Sequence, residues 1–160
     1  MRMCLFAAFA LVPLPALACD GDVILSCTAK DGTKTIEVCV EGNAFTYAYG
    51  PYQGAPELTL QEPLANGTLY PWQGFGRDIA ESIGFTNGPF RHGVAYSVDR
   101  LDDDHPTDGR VTVTRDGAEI AVVTCDPASA LTGFFAAQDA MAAVGLCWDG
   151  PTESWSAACP

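Results

Sequence analysis

The chain is short of the residues that imidazole chemistry and nucleic-acid binding depend on. It has 2 histidines, His92 and His105, in 160 residues, so any catalysis that needs an imidazole must use one of them. It carries 8 Lys and Arg against 20 Asp and Glu. That balance excludes the basic surface needed to neutralise nucleic-acid phosphates or anionic lipid. Common active-site motifs are also missing: there is no Gly-x-Ser-x-Gly elbow, no His-Glu-x-x-His and no Cys-x-x-Cys. Ser82 and Ser97 are therefore not assembled into a recognisable triad. "GFGRDI" has glycines for a phosphate cradle, but a strand pattern follows them and the fingerprint is incomplete. No cofactor is expected.

Long apolar runs are equally scarce. The one substantial run, Cys4 to Leu17, is interrupted by Pro13 and Pro15 and falls short of the ~20 residues that cross a bilayer. With Arg2 before it and Ala16 and Ala18 behind it, the run reads as a secretory signal peptide cleaved between Ala18 and Cys19. The expected plan is a signal at 1–18 and a single periplasmic or secreted β domain at 19–160, with no membrane span. Removing the first 18 of the 160 residues leaves 142, enough for one domain with a real core. Seven basic residues then face 20 acidic ones, a net charge of −13. Such a surface keeps a secreted protein soluble, and it steers basic partners towards itself.

Of the 7 cysteines, Cys4 leaves with the signal, and Cys19, Cys27, Cys39, Cys125, Cys147 and Cys159 remain. An even number in an exported chain reads as a disulfide framework. The spacings are too wide for a zinc knuckle, and no metal site is expected. The pairing is open at this level. Cys19 directly after Ala18 would also suit a lipoprotein signal, which makes a lipid anchor at Cys19 the competing reading. Against it, position 16 is Ala where such signals usually carry Leu, and lipidation would leave an odd thiol.

Between Val23 and Cys125 apolar and polar positions alternate in short runs separated by turn dipeptides, the pattern of antiparallel strands. "VILSCTAKDGTKTIEVCV" reads as a hairpin turning at Asp31-Gly32. "AFTYAYG" sets Phe45, Tyr47 and Tyr49 on one face. "PELTLQEP", between Pro56 and Pro63, reads as a short edge strand. Two further hairpins are predicted at Asn87-Gly88 and Asp116-Gly117. The first would pair Phe85 with Phe90, Ile83 with His92 and Ile79 with Tyr96; the second, Val113 with Ile120 and Val111 with Val122. After Asp126-Pro127 the period changes: "ASALTGFFAAQDAMAAVG" has helical spacing and a Gly145 stop. The tail "LCWDGPTESWSAACP" has no period, and its two cysteines are expected to staple it down. The fold class is mainly β: an antiparallel barrel or sandwich of about eight strands with one C-terminal helix, disulfide-bonded.

"DRLDDDHPTDGR" gathers Asp99, Asp102, Asp103, Asp104, His105 and Asp108. An EF-hand starting at Asp102 would need Gly and Glu where Thr107 and Val113 stand, so the segment reads as a solvated connection. His92 faces the apolar side of its hairpin and reads as a structural histidine. The stretch "NGTLYPWQGFGR", residues 66–77, is the recognition candidate. Tyr70, Trp72 and Phe75 lie among Pro71, Gly74 and Gly76, Arg77 closes the loop, and aromatics and Arg dominate binding energy at interfaces. The opposing reading has Trp72 plugging one end of the fold. Asn66-Gly67-Thr68 is a glycan acceptor sequence for a host with that machinery.

The succession "SCTAKDGTKTIEVCV", "YAYG", "PEL", "PWQGFGRDI", "FTNGPF", "YSVDR" and "TCDPAS" resembles a group of small, exported, uncharacterised proteobacterial β proteins over residues 26–129. In plan the chain is also similar to the periplasmic lysozyme inhibitors, small exported disulfide-bonded β proteins that insert a loop into a lysozyme cleft. The Ser-Gly-x-x-Tyr loop by which several of those inhibitors contact the enzyme has no match here, so no inhibitory residue is carried over. The resemblance implies an exported, non-enzymatic binding protein of the bacterial envelope with a basic partner such as a lysozyme. The alternatives are a small hydrolase using His92 or His105, and a structural component that docks through its C-terminal helix.

Overall fold

A computed structural model describes residues 19–159. The expected signal peptide, 1–18, lies outside the described residues. Nine strands of six to ten residues, less one two-residue piece, run from residue 22 to 124: β1 (Asp22–Thr28), β2 (Lys34–Glu41), β3 (Ala44–Pro51), β4 (Leu58–Pro63), β5 (Leu69–Tyr70), β6 (Asp78–Asn87), β7 (Phe90–Asp99), β8 (Thr107–Arg115) and β9 (Ala118–Thr124). A short β10 (Leu131–Thr132), one helix α1 (Ala136–Ala143), and β11 (Cys147–Asp149) with β12 (Ser154–Ser156) complete the chain. The strands make two five-stranded antiparallel sheets, ordered β10-β1-β2-β3-β4 and β5-β6-β7-β8-β9, and a two-stranded ribbon of β11 and β12. They do not close into one barrel, which removes that half of the expectation. The count exceeds the expected eight because β5, β10, β11 and β12 are too short to show a period.

The core draws on both large sheets. Ile24, Ile36, Val38 and Phe45 of the first meet Ile83, Phe85, Val94 and Val111 of the second. The Tyr47 ring lies 5.5 Å from Phe85 and 5.8 Å from His92, linking one sheet to the other. Full burial of each such aliphatic or aromatic side chain stabilises by about 1.5–3 kcal/mol. The sheets also join at a corner, where Ala29 bridges Cys125 and Lys30 N–H donates to Thr124 O at 2.9 Å. The disulfide Cys27–Cys125 locks the same corner. Cys19–Cys39 and Cys147–Cys159 are the other two bridges. Cys19 thus spends on Cys39 the thiol that a lipid anchor would need.

The turns explain where strand register departs from expectation. The β1–β2 hairpin turns at Asp31-Gly32 as expected, with Asp31 Oδ1 accepting from Thr33 N–H at 2.9 Å. The β6–β7 turn falls one residue later than expected, because Pro89 has no N–H to offer the ladder and is taken into the loop behind Gly88. Asn87 therefore pairs with Phe90, Phe85 with His92, Ile83 with Val94 and Glu81 with Tyr96. Each partner shifts by two residues, which leaves the apolar face intact. In the β8–β9 hairpin Asp116-Gly117 does turn the chain and Thr114 pairs with Glu119, but the register slips beyond that pair. Val113 then meets Ala121 and Val111 meets Val123, not the expected Ile120 and Val122. The slip turns Ile120 and Val122 out to solvent, at 54% and 47% exposure.

The expected long helix is also corrected. The segment from Pro127 makes a 3-10 turn, then a two-residue strand on β1, and becomes helical only at Ala136. Gly133 is the reason: its N–H bonds Ile24 O at 2.9 Å, and a Cβ there would sit 2.3 Å from Val23 O. The chain hugs β1 before it can coil. α1 then buries Ala137 and Met141, four residues apart on one face.

Candidate functional site

Residues 71–77 connect β5 to β6, and the loop is braced from three sides. At its base the Arg77 guanidinium pairs with Asp99 at 2.6 Å. Arg100 Nε donates to Gly76 O at 2.9 Å, and its guanidinium lies 5.5 Å over the Trp72 ring. Within the loop, Trp72 Nε1–H donates to Phe75 O at 3.0 Å and Gln73 Nε2 to Pro71 O at 2.7 Å.

The third brace is the tail ribbon. Trp148 Nε1–H donates to Gln73 Oε1 at 3.2 Å, and Trp155 Nε1–H to Leu69 O at 2.7 Å. Tyr70 meets the Trp148 ring edge-on, centroids 5.4 Å apart at 80°, while Trp148 and Trp155 lie 5.5 Å apart. Tyr70 OH donates to Glu153 Oε1 at 3.1 Å, and that bond pushes its pKa up. Phe135, ahead of α1, approaches Trp72 at 6.5 Å. All three tryptophans of the chain belong to this one surface, with each indole N–H satisfied.

What remains open is apolar. Phe75 is 75% exposed, Tyr70 42% and Phe135 40%, a set of rings held up by a hydrogen-bonded underlayer. The rim is acidic: Asp78, Asp99 and Asp102 all act electrostatically on Arg77, and Glu153 and Asp149 stand on the ribbon. Asp99 is pushed up by its surroundings, but the Leu101 N–H and Arg77 outweigh this and hold its carboxyl below the usual range.

Of the residues singled out in the sequence, Tyr70, Trp72 and Phe75 share this surface, whereas Arg77 is committed to Asp99. Gln73 lies inside the candidate stretch 66–77 but was not singled out there, and Phe135, Trp148, Trp155 and Arg100 lie outside it. Trp148 and Trp155 were legible only as aromatics in a segment without period.

The histidines are far apart in role. His92 is buried between the sheets with no partner for Nδ1, and burial lowers its pKa. His105 sits in the exposed β7–β8 connection, where Nδ1 approaches Asp99 O at 3.2 Å. The acidic run around it is a solvated connection, as expected. Three carboxylates are buried: Glu37, Glu62 and Glu81. Glu81 accepts from Tyr96 OH at 2.5 Å and from Gln138 Nε2, tying α1 to the second sheet. Cys19, Glu37 and Cys39 bring potential metal-ligating atoms within 4.8 Å of one another, but the two cysteines are bridged to each other.

Comparison with protein-family models, with curated proteins and with solved structures finds no match for this chain.

Proposed function

We propose that this protein is an exported, non-enzymatic binding protein of the bacterial envelope that docks a basic protein, in the manner of a lysozyme or hydrolase inhibitor. The observation that carries the reading is Phe75, 75% exposed at the tip of a loop braced by three surrounding segments. Large exposed aromatics on a rigid support are the residues that dominate interface energies. The acidic rim and a net charge of −13 over 19–160 supply attraction to a basic partner and speed its approach. Two facing antiparallel sheets, read as a sandwich, act as the scaffold that presents the loop. Three disulfides fit an oxidising compartment, the periplasm or the exterior, and among the described residues no helix is long and apolar enough to cross a membrane.

The test is a titration of the oxidised protein against animal-, invertebrate- and goose-type lysozymes, following cell-wall lysis at low and physiological salt. The expected result is inhibition of one type that survives physiological salt. Phe75→Ala should weaken it by about 2 kcal/mol, about thirtyfold in Kd, while changing stability by less than about 0.5 kcal/mol. Inhibition of every type that vanishes with salt would reduce the effect to acid attracting base. No inhibition of any type would remove lysozyme as the partner.

A further inference from the structure

The outer face of the second sheet carries a hollow that no part of the aromatic surface uses. Its volume is about 410 Å³, within the ~300–1,000 Å³ range of small-molecule sites. Register explains the space. Ala80, Ser97 and Asp108 pair across β6, β7 and β8 in one row; Ala95, Arg110 and Thr124 pair across β7, β8 and β9 two residues along, on the same face. Lys30 continues the second row, since its N–H bonds Thr124 O. The short Ala80, Ala95 and Ser97 side chains form a low floor, and Lys30, Asp108, Arg110 and Thr124 stand around it, with Glu81 and Tyr96 also reaching the hollow.

The charges around this hollow are unusual for so acidic a chain. Lys34, Arg77 and Arg115 are ion-paired. Arg100 is bonded to Gly76 O, and the Arg91 guanidinium lies against Gly84. Among the described residues, Lys30, Arg91 and Arg110 have no side-chain hydrogen bond or ion pair, and two of these three, Lys30 and Arg110, line the same hollow. They straddle Thr124 at two strand spacings, about 10 Å of backbone, a distance that two long cationic side chains close around one anionic group. The Ser97 and Thr124 hydroxyls add donors, and Asp108 adds an open acceptor beside Glu81, whose carboxylate is already taken by Tyr96 OH and Gln138 Nε2.

We infer that this hollow binds a small organic anion whose carboxylate or phosphate sits between Lys30 and Arg110 and whose hydroxyls face Asp108. Charge alone does not bring an anion to a chain with this net charge, so the ligand must be polyfunctional, of the size of a sugar acid or sugar phosphate. The inference is independent of the aromatic loop, with which the hollow shares no residue.

The experiment is an amide chemical-shift titration of the oxidised protein with glucuronate, glucose 6-phosphate and neutral glucose at constant ionic strength. Saturable shifts at Ala95–Ser97 and Asp108–Arg110 with one or both anions, and not with glucose, are expected. An effect of only one anion would identify carboxylate or phosphate as the recognised group. Lys30→Gln with Arg110→Gln should weaken binding at least about tenfold. Ser97→Trp, which fills the hollow without altering charge, should abolish it, and Phe75→Ala should leave it unchanged. The inference is overturned if neither anion gives saturable shifts there, if glucose does as well, or if the double variant binds as the parent does.

Discussion

The three disulfides should not be equivalent, and the difference can be worked from where they sit. Cys27–Cys125 closes a loop with a sequence separation of 98 and Cys147–Cys159 one of 12. Restricting the unfolded chain is worth about 4.7 kcal/mol for the first and about 2.8 kcal/mol for the second. Their structural roles separate them further. Cys27 and Cys125 are 3% and 2% exposed at the corner where the two sheets meet, so their loss is felt by the whole fold. Cys147–Cys159 holds only the ribbon, whose failure exposes Trp148 and Trp155 but leaves the main core packed. Cys27→Ala with Cys125→Ala should therefore lower Tm by roughly 10–20 °C. Cys147→Ser with Cys159→Ser should lower Tm far less and shift tryptophan emission to the red in the folded state, because every tryptophan lies at the braced surface. Far-UV circular dichroism for the sheets and fluorescence for the ribbon read the two effects separately. If the ribbon variant lost as much Tm as the corner variant, or kept native emission, the assignment of these jobs would be wrong.

Acidification should destabilise the protein in two steps. Burial lowers the folded pKa of His92 below 6.5, so the unfolded state takes up the proton first and stability falls as pH drops through 6.5. Asp99, held below 3.8, adds a second fall as pH drops through 3.8. Urea midpoints measured from about pH 7 to about pH 3 should show both; His92→Gln should erase the upper one, and a midpoint that rises on acidification would contradict the sign. Met141, fully buried under α1, should cost about 2–5 kcal/mol as Met141→Ala, read from the same denaturation curves. Gly133→Ala should also destabilise, by about 1–3 kcal/mol, because the new methyl meets the β1 backbone; a neutral result would show that this segment can move off the sheet.

Strands and turns were legible because alternation and Gly-containing dipeptides are local properties of the chain. Register was not, because it hung on one missing N–H at Pro89 and on a slip near Ile120 that no dipeptide announces. The helix was over-read for a similar reason. Alanine favours coiling along all of "ASALTGFFAAQDAMAAVG", and the close approach of Gly133 to Val23 that overrides it comes from a strand 110 residues earlier. At the candidate site, composition pointed to Tyr70, Trp72 and Phe75. Their supports lay hidden, because Trp148 reaches Gln73 across 75 residues and Trp155 reaches Leu69 across 86.

The order of the cysteines along the chain bears on how the protein is made. Synthesis delivers Cys19, Cys27 and Cys39 close together, yet native pairing joins the outer two and requires the middle one to wait for Cys125, 98 residues on. At ordinary elongation speeds that wait lasts on the order of 10 s, ample time for a thiol flanked by two others to react with the wrong one. Oxidant alone would then trap Cys27 with a near neighbour. Yield should depend on a catalyst that reshuffles bonds after the last third of the chain has arrived, because only then do β10 and Cys125 reach β1 and make the correct pairing the stable one.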